Sequence, residues 1–160
     1  MVKELQGISV CTFLADRRVA ERQAQAAERY FENYGFKPRI KIANDFSNPL
    51  QKGSSIVLWA KTDSDVLLGG DAIGEIRKRS EVVGREAAEN LMREIESEAT
   101  VDVHLADMLV PYVALADGSS TYIARRNTEH LETNIWLAQK ILGVHFNVTK
   151  TDKGYLVRQE

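Results

Sequence analysis

Small and aromatic side chains recur at Ala20, Ala24, Ala27, Phe31 and Tyr34, the three-to-four-residue spacing at which one face of a helix meets a core. The spacing predicts a first helix, capped by Asp16 and ended by Gly35. Before it, Gly7 to Leu14 is apolar and β-branched enough for a strand. After it, Ile40 and Ile42 alternate with Arg39 and Lys41 as in a half-buried strand. The run Ser55 to Thr62 reads as a central strand, paired with Val66 to Leu68 across the turn at Thr62 to Asp65, and the polar stretch Asn44 to Gly53 reads as a mobile loop. Ser80 opens a second helix with Val83, Ala87, Leu91 and Ile95 on one face, fading near Ser97 to Thr100.

That fading marks the expected boundary. Beyond it the pattern predicts a helix from Val103 to Ala116, a strand around Tyr122 to Arg125, a helix from Glu129 to Leu142, and a hairpin built from Val144 to Val148 and Tyr155 to Arg158. In the first of these helices Leu105, Leu109 and Tyr112 form an apolar stripe expected to face inward, and Pro111 removes a backbone donor and bends the axis. His145 falls on the outward side of the hairpin and is given no role.

At 160 residues the chain can bury a real core, and an apolar fraction of 44% with 28% charged residues is that of a soluble globular protein. A net charge of −2 gives a nucleic-acid function no help from bulk charge. Such a function would need a local patch, for which Arg125, Arg126, Lys140 and the stretch from Lys37 to Lys41 are candidates. The single cysteine, Cys11, excludes an internal disulfide and a CxxC metal site, which points to a reducing, cytoplasmic setting. In that setting the sequon at Asn147 to Thr149 is idle. No window reaches the length of a membrane span, so no membrane partner is expected.

Three polar clusters carry possible chemistry. If Asn127 or Thr128 caps the fourth helix, His130 stands in its first turn, where the positive helix end favours a neutral, nucleophilic imidazole, with Asn134 one turn on. From these residues alone, before any resemblance, the more ordinary reading is a partly exposed histidine that happens to follow a cap. His104 and Asp107 share a helical face in "VDVHLADMLVPY", as they would in a plain surface ion pair. His104, Asp107 and His130 could also combine around a metal. Last, Gly69, Gly70 and Gly74 bracket a turn that could approach a phosphate, although neither GxGxxG nor GxxxxGK[ST] is present; a flexible connection explains them as well.

Taken in order, "RRVAERQAQAA" (17–27), "GSSIVLWAKT" (53–62), "GEIRKRSEVVGREAAENL" (74–91), "VDVHLADMLVPYVALADG" (101–118) and "EHLETNIWLAQKILGVHFNV" (129–148) resemble the C-terminal part of the RNA 3'-terminal phosphate cyclase family. The resemblance implies an α+β fold. A small inserted α/β domain of about four strands and two helices (7–97) would sit beside one βαβαββ-like repeat (98–160), to which residues 1–6 would also belong. Such repeats resemble the C-terminal domain of translation initiation factor three.

The resemblance also implies chemistry. Family enzymes use ATP to adenylate a histidine, pass the AMP to an RNA 3'-phosphate, and close a 2',3'-cyclic phosphate. The histidine lies in an "H-L-x-T-N" context that matches His130 to Asn134, so His130 would be the nucleophile and Asn134 a supporting residue. The adenylate-binding "H-L-A-D-Q" block matches His104, Leu105, Ala106, Asp107 and Met108, with methionine where many members have glutamine. Magnesium would accompany ATP. The family's glycine-rich "G-x-x-P-x-G-G-G" signature does not occur here, which implies a chain that lacks the N-terminal half, needs it as a partner and self-associates through uncovered faces. The alternatives are an inactive fragment, or a non-catalytic cyclase-like RNA- and protein-binding module of ribosome biogenesis, a branch that lacks the histidine.

Overall fold

The computed structural model describes residues 1–47 and 51–160, and these divide into two compact units, Met1–Arg93 and Glu94–Glu160. The elements are β1 (Val2–Thr12), α1 (Val19–Glu32), β2 (Arg39–Asp45), β3 (Gly53–Thr62), β4 (Leu67–Ile73), α2 (Ser80–Glu96), α3 (Val103–Leu115), β5 (Ser120–Ala124), α4 (Glu129–Leu142), β6 (Phe146–Thr151) and β7 (Gly154–Gln159). Together they make a mixed α+β protein. Among the described residues no helix is long and apolar enough to cross a membrane.

In the first unit the sheet order is β2-β1-β3-β4, with β1 parallel to β2 and antiparallel to β3. In β1, β3 and β4 every second residue is turned into the core: Leu5, Ser9 and Cys11 of β1, Ile56, Leu58 and Ala60 of β3, and Leu68 and Ala72 of β4 are all buried. Ala20, Ala24, Ala27 and Phe31 of α1 are buried, as are Val83, Ala87 and Leu91 of α2. The helical pattern of the sequence is therefore the core-facing stripe, except that Tyr34 lies past the helix end and is exposed.

Several expectations need correction. Residues 1–6 do not belong to the second unit: Leu5 pairs with Ala60 and Gln6 with Trp59, and the Met1 carbonyl accepts the Asp63 N–H at 2.9 Å. Leu5 simply continues the buried alternation of β1, and the ten-residue β3 needs a partner of that length. Asp16 caps no helix but sits in a 3-10 turn, Ala15–Arg17, whose i+3 backbone bonds already engage the donors of Arg17 and Arg18. At the other end Gly35 does stop α1, with φ +78° and the paired bonds Gly35 N–H to Glu32 C=O and Phe36 N–H to Phe31 C=O. Of the expected loop, Asn44 and Asp45 close β2 and Gly53 opens β3, while 48–50 lie outside the described residues.

Gly69 and Gly70 are not in a turn; they lie inside β4. A Cβ on Gly70 would stand 2.7 Å from the Leu91 Cα, so the bare glycine lets α2 seat against the strand. Gly84 does the same where α2 crosses α1, a Cβ there falling 2.8 Å from the carbonyl carbon of Gln23. These glycines serve close packing.

The second unit has sheet order β5-β7-β6, with Val101 joined to Ala124 by a single parallel bridge. Counting that bridge, the order is βαβαββ with its first strand reduced to one residue. The core is Ala106, Val110 and Ala114 from α3, Leu131, Ile135 and Ala138 from α4, and Tyr122, Phe146 and Val157 from the sheet. Tyr112, expected inward, is exposed. It lies two residues beyond Val110, about 200° around the helix axis, and α3 is so uniformly apolar that periodicity alone could not choose its inner face.

Candidate functional site

The candidate residues lie where α3 and α4 pack together in the second unit. Asp102 caps α3, its carboxylate accepting the Leu105 N–H at 2.8 Å. Thr128 caps α4, its hydroxyl accepting the Leu131 N–H at 3.0 Å. Capping by a side-chain oxygen satisfies donors that the helix cannot pair itself, and here it fixes the turn that carries His130. His130 is the second residue of α4 and is exposed.

The Thr128 hydroxyl also donates to Asp107 Oδ1 at 2.6 Å, a charge-assisted bond that ties the α4 cap to the middle of α3. A second tie follows from Pro111. In an α-helix the carbonyl of residue 107 accepts from the N–H of residue 111, and proline has none. The Asn134 amide supplies the missing donor, reaching the Asp107 carbonyl at 2.9 Å. Asn134, expected to orient the histidine or touch a ligand, thus has its amide donor engaged in holding α4 to α3. Beneath them the Tyr122 hydroxyl donates to the Ala106 carbonyl at 3.0 Å. Burial, with the Asp107 charge adding to it, pushes the Tyr122 phenol up to about 12, so it remains a neutral donor at any physiological pH.

Between the helices lies a groove of about 290 Å³. Asp107 and Asn134 supply its polar groups, and Met108, Pro111, Leu137 and Ile141 are among its apolar ones. Of the residues singled out in the sequence, Asp107, Met108 and Asn134 therefore come together. His104 and His130 do not line the groove, though each stands one helical turn from a residue that does. Leu105 and Ala106 depart from the adenylate-binding reading: Leu105 packs against the core, and Ala106 is 1% exposed with its carbonyl and N–H both bonded. The metal reading also fails, since among the described residues no group of three His, Cys, Asp or Glu side chains could hold an ion. Arg125, a candidate for a basic patch, is held by the buried Glu94 carboxylate at 2.8 Å.

Thr128 was expected as a cap and Pro111 as a lost donor; the bonds by which Thr128, Asn134 and Tyr122 reach α3 were not anticipated. Pro111 held the readable signal, because a proline within a helix leaves the carbonyl four residues earlier in need of an outside donor.

The fold and groove define a two-unit α+β protein whose second unit presents a histidine at a capped helix start. Residues 1–96 match the family model described as "RNA 3'-terminal phosphate cyclase (RTC), insert domain". The chain is 41% identical over 144 residues to an RNA 3'-terminal phosphate cyclase of Pyrobaculum neutrophilum, covering 89% of this chain and 41% of the relative. It is 40% identical over 151 residues to that of Methanopyrus kandleri (92% and 43%) and 42% identical over 147 to that of Thermococcus gammatolerans (92% and 41%). The chain belongs to the RNA 3'-terminal phosphate cyclase family, and it spans about two-fifths of the length of these curated relatives.

Proposed function

We propose that the chain carries the nucleophile and part of the nucleotide site of an ATP-dependent RNA 3'-phosphate cyclase. The observation that supports this most directly is the exposed His130 on a first turn braced to α3 by Thr128 and Asn134, one turn from a groove of a size to take a flat heterocycle. A ring nitrogen of His130 attacks the α-phosphorus of ATP, the bond to the β-phosphate oxygen breaks, and pyrophosphate leaves. An oxygen of the RNA 3'-phosphate then attacks the same phosphorus and the P–N bond breaks, freeing His130. The neighbouring 2'-hydroxyl attacks the 3'-phosphorus, and AMP leaves as the 2',3'-cyclic phosphate closes.

Adenine would lie against Met108 and the apolar wall, with His104 at its border and the Asp107 carboxylate at its polar end. A divalent cation, most simply magnesium, would neutralise the triphosphate. The groove offers such an ion one carboxylate, Asp107, and an ion of this kind takes its remaining oxygens from phosphates and water. The exposed apolar side chains Tyr112, Leu115 and Trp136 of α3 and α4, none of which lines the groove, favour a further partner surface. We assign it to the additional repeats of the longer relatives, or to a second copy of the chain.

Intact mass after incubation with ATP and magnesium, alone and with the N-terminal portion of a longer relative, tests the reading. An AMP-sized adduct that disappears in His130→Ala is the expected result. No adduct under either condition would remove the cyclase reading and favour the non-catalytic RNA-binding module.

A further inference from the structure

A second cavity, of about 520 Å³, lies in the first unit. It opens where α1 and α2 begin, beside the start of β3 and the turn after β4, and its lining includes Val19, Ser80, Gly53 and Gly74. Six cationic side chains line it: Arg17, Arg22, Lys52, Arg77, Lys78 and Arg79. Carboxylates answer some of them. Arg22 and Arg79 share Glu81, and Lys78 pairs with Glu75 and Glu86. Three carboxylates against six cations leave an excess of three positive charges, and among the described residues Arg17, Lys52 and Arg77 carry no ion pair. In a chain whose net charge is −2 this is a local concentration, and none of the stretches singled out for charge in the sequence contributes to it. Arg17 and Arg77 are far apart in the chain and meet only through the fold.

We propose that this crevice binds the phosphodiester backbone of the RNA strand upstream of the reacting 3' end. The choice of RNA as occupant rests on the cyclase reading; the choice of backbone over base rests on the lining. Among the described residues the lining has no aromatic side chain on which a base or an adenine could stack. What it offers is guanidinium and ammonium groups, which position a strand by its phosphates and read no sequence. Such a site grips RNA whatever its sequence or terminal chemistry and leaves recognition of the 3'-phosphate to the second unit.

The test is fluorescence anisotropy of a labelled single-stranded 12-mer RNA, with either a 3'-hydroxyl or a 3'-phosphate, from 25 to 200 mM KCl. Variant Arg17→Gln, Lys52→Gln, Arg77→Gln should bind both RNAs at least tenfold more weakly at 50 mM KCl. The slope of log affinity against log salt should fall by about 2, since each phosphate contact on a single strand contributes about 0.7. Variant Arg17→Lys, Arg77→Lys should stay within about threefold of wild type, which separates loss of charge from loss of fold. Unchanged affinity and slope in the neutral variant, a loss confined to the 3'-phosphate RNA, or a loss of fluorescent ATP binding with RNA binding intact would each overturn the proposal. The two readings fail separately, because the His130 adduct is read by mass on the same proteins. Adduct without charge-dependent RNA binding sinks the crevice alone, and charge-dependent binding without adduct sinks the catalytic reading alone.

Discussion

If Asn134 replaces the donor that Pro111 lacks, the two residues must be energetically coupled with a definite sign. Asn134→Leu removes the amide and leaves the Asp107 carbonyl, in the half-buried groove between α3 and α4, without a protein partner. An unsatisfied group of this kind costs about 1–3 kcal/mol, and partial access of water here favours the lower half. Leucine is a better helix former than asparagine by about 0.5 kcal/mol, so the net loss should be about 1 kcal/mol. Pro111→Ala restores an N–H four residues after Asp107, and the helix can then satisfy that carbonyl unaided. In this background Asn134→Leu should be neutral or slightly stabilising, giving a coupling of about 1–1.5 kcal/mol. The chain has two tryptophans, Trp59 in the first unit and Trp136 in the second. Urea unfolding followed by Trp136 fluorescence in a Trp59→Phe background therefore reports the relevant unit. An equal cost of Asn134→Leu in both backgrounds would refute the substitution of donors, and with it the account of how α4 is set against α3.

Gly84→Ala should destabilise the first unit by about 2 kcal/mol: the new Cβ meets the Gln23 backbone, which cannot yield as a side chain can, and this overpacking outweighs the roughly 1 kcal/mol gain in helix propensity. Trp59 fluorescence in a Trp136→Phe background would show it, and an equally stable variant would contradict the tight α1–α2 crossing. The Arg22 guanidinium, bonded to Glu81 at 2.8 and 2.9 Å, holds that carboxyl at about 2, below its ordinary 4.5. A depressed carboxyl stabilises the fold above about pH 4.5 and loses that contribution as pH falls toward about 2. With Glu81 40% exposed the effect should be about 1 kcal/mol at most, and acid titrations of wild type and Glu81→Gln should converge at the low end; parallel curves would argue against it. Light scattering at micromolar concentration should find a dimer or larger species assembled through the apolar outer faces of α3 and α4, and a monomer would show that those faces need no cover.

Much of this protein was determined by local sequence. The spacing of Ala20, Ala24, Ala27 and Phe31 set both the existence of α1 and its buried face, and Gly35 set its end. The cap at Thr128 and the extent of α4 were equally local, because a capping hydroxyl and a helical stripe act within a few residues of chain. Where local signals were weak or shared between states, tertiary structure decided. β1 reaches back to Val2 because β3 is long enough to pair with it, and Gly70 belongs to a strand because α2 needs the space above it. α3, apolar on nearly every side, took its inner face from the sheet it covers. The site followed the same division. His130 was legible from its place after a cap, whereas the bracing of Asp107 by Thr128 and Asn134 joins residues 21 and 27 positions apart. The cationic crevice likewise gathers residues from positions 17 to 79. Caps, turns and periodic stripes are short-range and can be read along the chain. Hydrogen bonds across helices and the summed field of distant charges exist only once folding has brought their partners within reach.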